Sequence, residues 1–208
     1  MIRILIVDDH AVVRRGLREL LAETGAVSVG EAATASEALE RIQEGWDLLI
    51  LDLNLPGRGG LDLLVDVKRE CPSLPVLILT VYSEDQYAIR ALRLGAAGYL
   101  TKESAPEQLV EAVTRLVAGG RYVSASLAEK LVVSLHPGHD GAPHEALSNR
   151  EYQVFRLLAS GKTVGQVADE LNLSAKTIST YRGRILEKMV MRSNAELTHY
   201  AVRNELVD

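Results

Sequence analysis

The chain of 208 residues has a single cysteine, Cys71, and contains no long apolar run. One thiol cannot close an intramolecular disulfide, and it cannot build a zinc cluster of thiolates. No segment approaches the roughly 18 to 20 apolar residues that a membrane-spanning helix needs. The apolar residues at the amino terminus run straight into two aspartates and are too few for a secretory signal. We therefore expect a cytoplasmic protein of a reducing compartment, with no membrane partner.

Charge is distributed unevenly along the chain. Hydrophobic residues make up 47% and charged residues 25% of the sequence, and the length admits one or two globular domains. Residues 1–119 carry 12 basic and 18 acidic side chains, a balance of −6, whereas residues 148–208 carry 9 and 7, a balance of +2. This asymmetry indicates two parts with different tasks, of which only the last favours a polyanionic partner.

Short apolar segments alternate with amphipathic segments in the first part of the chain. The apolar segments have the length of buried strands. They lie at Ile4–Val7, Val27–Glu31, Leu48–Leu53, Val76–Thr80 and Gly98–Leu100. Because strands that alternate with helices form βαβ units, we expect an α/β fold with a doubly wound, five-stranded parallel sheet of the flavodoxin-like kind.

The last part of the chain has a purely helical pattern and predicts a second, all-α domain. Between the two parts, His136–Ala146 is rich in glycine, proline and histidine and has nothing to bury, which is typical of a flexible linker. The predicted organisation is a first domain at 1–119, a linker with one short helix at 120–147, and a helix-turn-helix domain at 148–208.

Five residues with charged or hydroxyl side chains fall at the carboxyl ends of the predicted strands. Asp8 and Asp9 follow the first strand, Asp52 ends the third, Thr80 ends the fourth, and Lys102 follows the fifth. Ligands of doubly wound sheets bind outside the carboxyl ends of the strands. We therefore expect three carboxylates, one hydroxyl and one ammonium group to meet at one edge of the sheet.

This combination predicts phosphoryl chemistry with a bound cation. Clustered carboxylates repel one another, and oxygen ligands together with water favour Mg²⁺. Asp52 would be the nucleophile, Thr80 would hydrogen-bond a phosphoryl oxygen, and Lys102 would pair with the phosphoryl charge. A phosphatase of the haloacid dehalogenase type also uses an aspartyl nucleophile with Mg²⁺, but its acidic pair lies on the first strand. A turnover assay on small phosphomonoesters separates these two hypotheses.

The helical part contains a helix-turn-helix pattern, in which a helix at Val164–Leu171 is followed by a short turn and a second helix at Ser174–Lys188. Residues 174–192 include five basic side chains and one acidic side chain. Basic charge concentrated on one helix is typical of a surface that contacts DNA phosphates. The alternative is a helical module that docks a protein or an RNA without sequence-specific DNA binding.

The first 118 or so residues resemble the receiver domain of two-component response regulators. The resemblance rests on the order along the chain of the acidic residues, the threonine and the lysine at the strand ends. The resemblance implies that a sensor histidine kinase transfers a phosphoryl group to Asp52. It also implies that Asp9, Asp52 and the backbone carbonyl of Asn54 hold Mg²⁺, with Asp8 acting mostly through a metal-bound water.

The same resemblance implies a conformational switch. Tyr99, three residues before Lys102, matches an aromatic residue that turns inward when the threonine, here Thr80, moves onto the phosphoryl group. The face formed by the fourth helix, the fifth strand and the fifth helix then changes its contacts. The resemblance implies no enzyme activity beyond self-phosphotransfer and slow self-dephosphorylation at Asp52.

Three segments, Leu147–Glu151, Ala168–Leu171 and Ser174–Ile178, resemble the LuxR-type helix-turn-helix. With the receiver they make the chain similar to the NarL/FixJ group of response regulators over nearly its whole length. The group implies double-stranded DNA as a partner, contact with RNA polymerase, and a homodimer on activation through the last helix. The implied base-facing residues are Ser179, Thr180 and Gly183, the implied phosphate contacts are Lys176, Arg182 and Arg184, and Thr177 and Lys188 complete the DNA-binding set.

Three residues depart from the LuxR-type pattern, and the first is Tyr181, which stands where the family usually has histidine. Gly183 lies inside the recognition helix and costs roughly 1 kcal/mol relative to alanine. Either it lets the backbone approach DNA closely or it is simply tolerated. Val190 stands where the group usually has a glycine that ends the helix in the left-handed conformation, which a β-branched residue adopts poorly. Either the helix ends differently in this chain or this turn is strained.

Overall fold

The computed structural model describes residues 1–23, 25, 27–104, 106–134 and 142–207, although not the side chains at 85, 86, 130 and 132–134. The chain divides into two compact units, Met1–Leu131 and Val132–Asp208. Much of the predicted flexible linker, residues 135–141, lies outside the described residues. Among the helices in the described ranges, none combines the length and apolar character that crossing a bilayer requires.

The first unit is built on a parallel sheet with the strand order β2-β1-β3-β4-β5. The strands are β1 (Ile2–Val7), β2 (Val27–Ala32), β3 (Leu48–Leu51), β4 (Val76–Thr80) and β5 (Gly98–Thr101). One helix follows each strand: α1 (Ala11–Glu23), α2 (Ala35–Arg41), α3 (Gly60–Glu70), α4 (Glu84–Arg93) and α5 (Pro106–Val117). The predicted doubly wound, five-stranded parallel fold is confirmed.

The strand register brings the carboxyl ends of the strands together. Val7 of β1 pairs with Leu51 of β3, so the next residues, Asp8 and Asp52, emerge side by side. All residues of β3 and β4 are buried, including Thr80 at the end of β4. Strands that are covered by helices on both faces need apolar side chains on both faces, which explains the continuous apolar runs in the sequence.

The segment after α5 extends the edge of the sheet beside β5. The N–H of Tyr122 donates to the carbonyl of Ala97 (3.0 Å), and its carbonyl accepts from the N–H of Tyr99 (3.2 Å). Helix α6 (Ala125–Ser134) begins directly afterwards. The start of the predicted linker therefore packs as part of the first unit, while the domain limits at 119 and 148 stay predictions.

The second unit consists of helices that are capped by their own side chains. They are α7 (Asn149–Ala159), α8 (Val164–Glu170), α9 (Ala175–Lys188) and α10 (Asn194–Arg203). Reciprocal capping boxes begin α7, between Ser148 and Glu151, and α8, between Thr163 and Gln166. Buried Phe155, Ile178, Ile185 and Leu197 supply apolar core positions on α7, α9 and α10.

The residue that ends the turn after helix α9 is left-handed, and it is a valine and not a glycine. Val190 has a φ of 55° and a 91% exposed side chain. Its N–H donates to the carbonyl of Glu187 (3.1 Å), and the N–H of Met191 donates to the carbonyl of Leu186 (2.8 Å). The carbonyl groups at the end of the helix are thus satisfied in the usual way, and a β-branched residue carries the conformational cost. Of the two alternatives for this turn, the strained one is correct.

Replacing Val190 with glycine should stabilise the protein. A left-handed conformation costs an ordinary residue roughly 1–2 kcal/mol, and glycine removes this cost. The greater conformational freedom of glycine in the unfolded chain offsets part of the stabilisation. We expect Val190→Gly to raise the free energy of unfolding by about 1 kcal/mol in urea titration. Val202→Gly is the control, because Val202 is an exposed valine inside α10 and should lose stability. Equal losses in both variants would contradict the strain at Val190.

Candidate functional site

Two buried carboxylates share one ammonium group at the carboxyl edge of the sheet. The Nζ atom of Lys102 lies 2.6 Å from Asp8 Oδ2 and 2.6 Å from Asp52 Oδ2. The side chains of Asp8 and Asp52 are 3% and 1% exposed, so their charges are poorly screened by water. Burial lowers the pKa of Lys102, but the hydrogen bonds and charges of Asp52 and Asp8 outweigh it and raise the pKa.

Backbone hydrogen bonds fix these side chains to the sheet. The N–H of Asp52 donates to the carbonyl of Val7 (2.9 Å), and the N–H of Lys102 donates to the carbonyl of Thr80 (2.7 Å). A Cβ atom at Gly60 would lie 2.3 Å from the carbonyl oxygen of Asp52. Only glycine therefore allows the start of α3 to pack this closely behind Asp52.

Thr80 presents a buried hydroxyl group at the end of β4. Its Oγ1 atom is buried and makes no hydrogen bond in the described part of the chain. Almost all buried polar groups are hydrogen-bonded, because an unmade bond costs roughly 1–3 kcal/mol. This hydroxyl group is therefore available to a ligand at the carboxylate edge. We refer to Asp8, Asp52, Thr80 and Lys102 as the carboxylate pocket.

The oxygen ligands around the pocket fit a hard divalent cation. Asp8, Asp9, His10 and Asp52 each offer one ligand atom, and these atoms all lie within 4.8 Å of one another. Carboxylate oxygens are the ligands that Mg²⁺ prefers. Three of the four predicted metal ligands are thus brought together. For the fourth, Asn54, the structure shows its N–H donating to Asp52 Oδ1 (3.1 Å).

His10 was missed by the sequence prediction. Its N–H donates to Asp8 Oδ1 (2.8 Å), and its Nδ1 atom lies 2.7 Å from Asp9 Oδ1. The signal was present in the sequence, since His10 directly follows the two aspartates. The N–H of His10 thus binds one oxygen of the Asp8 carboxylate, while Lys102 binds the other.

The predicted switch aromatic lies inward. Tyr99 is fully buried, and its hydroxyl group donates toward the carbonyl oxygens of Tyr82 (2.9 Å) and Ser83 (3.3 Å). These two residues follow Thr80 in the loop that leads to α4. The Tyr99 hydroxyl group therefore holds the loop that follows Thr80.

The linker side chains that reach this region were also missed by the sequence prediction. Ser124 caps the start of α6 and donates its hydroxyl hydrogen to Glu84 Oε2 (2.5 Å), and Ser126 donates to the same oxygen (3.3 Å). Glu84 is the first residue of α4. The linker start is thus bonded on one side to α4 and, through Tyr122, on the other side to β5.

Helices α8 and α9 form the predicted helix-turn-helix. The exposed residues of α9 recur at helical spacing and form one stripe, while Ile178 and Ile185 face the core of the second unit. The stripe contains Ala175, Lys176, Ser179, Thr180, Gly183, Arg184, Glu187 and Lys188. All three predicted base-facing residues and the cations Lys176 and Arg184 therefore share one solvent-facing surface.

Two basic side chains of the predicted DNA-binding set form contacts within the second unit. The half-buried Arg182 donates from Nε to Asn194 Oδ1 (2.7 Å) at the start of α10. Lys188 Nζ lies 2.6 Å from Glu151 Oε2 in the capping box of α7. Thr177 is half-buried, and its Oγ1 atom lies 2.8 Å from Ser174 Oγ at the helix cap. These three side chains support the position of α9 in this structure.

Comparison with known families covers both units. Residues 4–114 match the response regulator receiver domain, and residues 145–201 match the bacterial regulatory proteins of the luxR family. Response regulator GacA of Pseudomonas aeruginosa is 38% identical over 211 residues, which cover 100% of this chain and 99% of the relative.

The chain is also similar to solved structures of the response regulator RcsB. RcsB from Salmonella enterica serovar Typhimurium, bound to promoter rprA in the presence of the phosphomimetic BeF₃⁻, is 28% identical with a TM-score of 0.64. That match covers 96% of this chain and 97% of the RcsB chain. A structure described as two RcsB dimers bound to two parallel DNAs is 29% identical with a TM-score of 0.60, and the match covers 97% of this chain and 98% of that chain.

The Lys188–Glu151 contact leads to a stability prediction. Burial raises the pKa of Glu151, but the hydrogen bonds from Lys188 and Ser148 outweigh it and lower the pKa. A carboxyl pKa that is lowered in the folded state stabilises the protein at pH values above the ordinary pKa of glutamate. This stabilisation is lost as the pH falls through the folded-state pKa. We expect Lys188→Met to reduce the free energy of unfolding by about 1 kcal/mol at neutral pH, with the deficit shrinking in acid.

Lys176→Met is the matched control, because Lys176 is exposed on the same helix. It should leave the unfolding curve unchanged at every pH. Equal effects of the two substitutions in urea titrations would show that the Lys188 contact contributes nothing beyond surface charge.

Proposed function

The chain belongs to the two-component response regulators with a LuxR-type DNA-binding domain, and we propose that a sensor histidine kinase phosphorylates Asp52 to control DNA binding and transcription. The observation that supports this most directly is the carboxylate pocket. A buried aspartate, a shared lysine and a buried threonine hydroxyl group that has no partner among the described residues together provide an acceptor and two groups for the transferred oxygens. The proposed site of action is the cytoplasm, where kinase and DNA are both accessible.

The proposed transfer uses the Asp52 carboxylate as nucleophile. One of its oxygens forms a bond to phosphorus, the phosphorus–nitrogen bond of the kinase phosphohistidine breaks, and the imidazole nitrogen keeps the bonding electron pair. Mg²⁺, held by Asp8, Asp9, Asp52 and the Asn54 backbone, supplies charge neutralisation when bound. Lys102 stays within reach of the new phosphoryl oxygens, because it already contacts the acceptor carboxylate.

The hydroxyl group of Thr80 is the second proposed contact of the phosphoryl group. It has no hydrogen bond to lose in the described part of the chain, so bonding to a phosphoryl oxygen satisfies a buried donor. A shift of Thr80 moves the loop whose carbonyl groups accept from Tyr99. That loop leads into α4, where Glu84 holds the start of the linker helix. The phosphoryl group can therefore bias the contacts of the linker.

The acceptor should lose its phosphoryl group slowly, and we propose no other enzyme activity. The Asp52 side chain is 1% exposed, which restricts the approach of water to the acyl phosphate. Slow hydrolysis would give the phosphorylated state time to act on the second unit.

The proposed output is a homodimer on double-stranded DNA. The relative RcsB is described in complex with a promoter and as dimers on DNA. In this chain, Lys176 and Arg184 flank the base-facing residues Ser179, Thr180 and Gly183 on one exposed stripe. Such cations bind phosphates and set the position of the helix, whereas the residues between them face the bases. RNA polymerase is the proposed further partner on the promoter.

The first test is chemical. With acetyl phosphate and Mg²⁺, the wild-type chain should gain the mass of one phosphoryl group and shift toward a dimer in light scattering. Asp52→Asn keeps the side-chain volume without the nucleophile and should show neither change. Phosphoryl gain in both proteins would place the acceptor elsewhere, and no gain in the wild type would exclude a working acceptor.

The second test concerns the DNA-binding stripe. Each phosphate contact that is removed should lower the salt dependence of binding to a random-sequence duplex by about one unit of slope. We expect this for Lys176→Ala and for Arg184→Ala in fluorescence anisotropy titrations. Lys162→Ala is the control, because this ammonium group is ion-paired with Glu170. Binding without salt dependence would instead favour docking to a protein partner.

A further inference from the structure

The loop from β3 to α3 carries the backbone that completes the site at Asp52. At its start, the N–H of Asn54 donates to Asp52 Oδ1 (3.1 Å). At its end, the N–H of Gly60 donates to the carbonyl of Leu53 (3.0 Å). The tip between these points, residues 56–58, is exposed, and Gly57 adopts a φ of 74°. Both ends of the loop are held, while its tip faces solvent.

A buried carboxylate on α3 contacts this tip. The Asp66 side chain is 4% exposed. Its Oδ2 atom forms an ion pair with the guanidinium group of Arg58 at the loop tip, and its Oδ1 atom lies 3.1 Å from Arg69 Nη2. Oδ2 makes no aligned hydrogen bond in the described part of the chain, so the Arg58 contact is primarily one of charge.

The two arginines have different structural consequences. Arg69 lies on α3 itself, one turn beyond Asp66, so its contact links two residues of one rigid helix. Arg58 lies in the loop, so its contact links the tip to that helix. A buried charge requires a partner, and Arg69 already supplies one. The charge of Asp66 is therefore already compensated without Arg58. The contact with Arg58 restrains the loop.

We propose that the Arg58–Asp66 ion pair positions the β3–α3 loop for divalent cation binding, so that Arg58 is a positioning residue of the phosphorylation site. The inference rests on the proposed function, because it requires a cation at the carboxylate pocket. Mg²⁺ demands near-ideal octahedral geometry, and a loosened Asn54 backbone would satisfy that geometry less often. Residues that orient metal ligands without touching the metal typically change affinity roughly 10–100-fold.

The test compares Arg58→Met with Arg69→Met in the full-length chain. Both substitutions remove one cation from the same carboxylate and leave the other in place. Free Mn²⁺ is measured by electron paramagnetic resonance, with Mg²⁺ as competitor, and thermal unfolding is recorded for each variant. We expect Arg58→Met to weaken Mn²⁺ and Mg²⁺ binding roughly ten-fold, the lower end for such residues, and Arg69→Met to leave the affinity unchanged. Arg58→Lys keeps the charge and should restore most of the affinity.

Asp66→Asn removes the shared partner and should match Arg58→Met, and combining the two should add no further loss, because they remove one interaction. Equal affinities of Arg58→Met and the wild type would overturn the inference alone. Equal losses in Arg58→Met and Arg69→Met would also overturn it, since net charge would then be the cause. If the wild type binds neither cation, the proposed function fails first, and the inference fails with it.

Discussion

The ammonium group of Lys102, held between the carboxylates of Asp8 and Asp52, is the contact on which the site depends. Two carboxylates this deeply buried repel each other and lose their hydration, so the edge of the sheet requires a cation. Lys102 supplies it from the last strand, across the sheet from β1. The same contact keeps a positive charge beside the Asp52 oxygen, where the proposed phosphoryl group would add negative charge. The two ion pairs of Lys102 thus serve the stability of this edge and the chemistry proposed for it.

A second constraint connects this edge to the linker. The loop after Thr80 is held by the Tyr99 hydroxyl group, and α4 begins where that loop ends. Glu84 and the edge of the sheet at β5 then hold the start of the linker from two sides. A change at the carboxylate pocket therefore meets a short set of hydrogen bonds within the first unit. Such a set can transmit a small local shift, because each bond has few alternative arrangements.

The sequence predicted the fold and the carboxylate pocket because both follow from short-range patterns. Strand ends can be recognised from apolar runs, and parallel strands bring their carboxyl ends to one edge. It did not predict the contacts that Arg182 and Lys188 make within the second unit. Their partners, Asn194 and Glu151, lie 12 and 37 residues away along the chain. Contacts of that range depend on how helices pack, which a local charge pattern does not encode. The strain at Val190 was one of two alternatives that the sequence left open, because a helix end is a local feature.

Control of DNA binding by the acceptor is tested most directly by one affinity measurement. A duplex selected by the phosphorylated wild-type chain from a random library is titrated with wild type and Asp52→Asn, each with and without acetyl phosphate and Mg²⁺. Phosphorylation should tighten binding about ten-fold in the wild type, within the usual range of coupling between sites, and should leave Asp52→Asn unchanged. Equal affinity of the wild type with and without acetyl phosphate, or an equal gain in Asp52→Asn, would contradict control through Asp52.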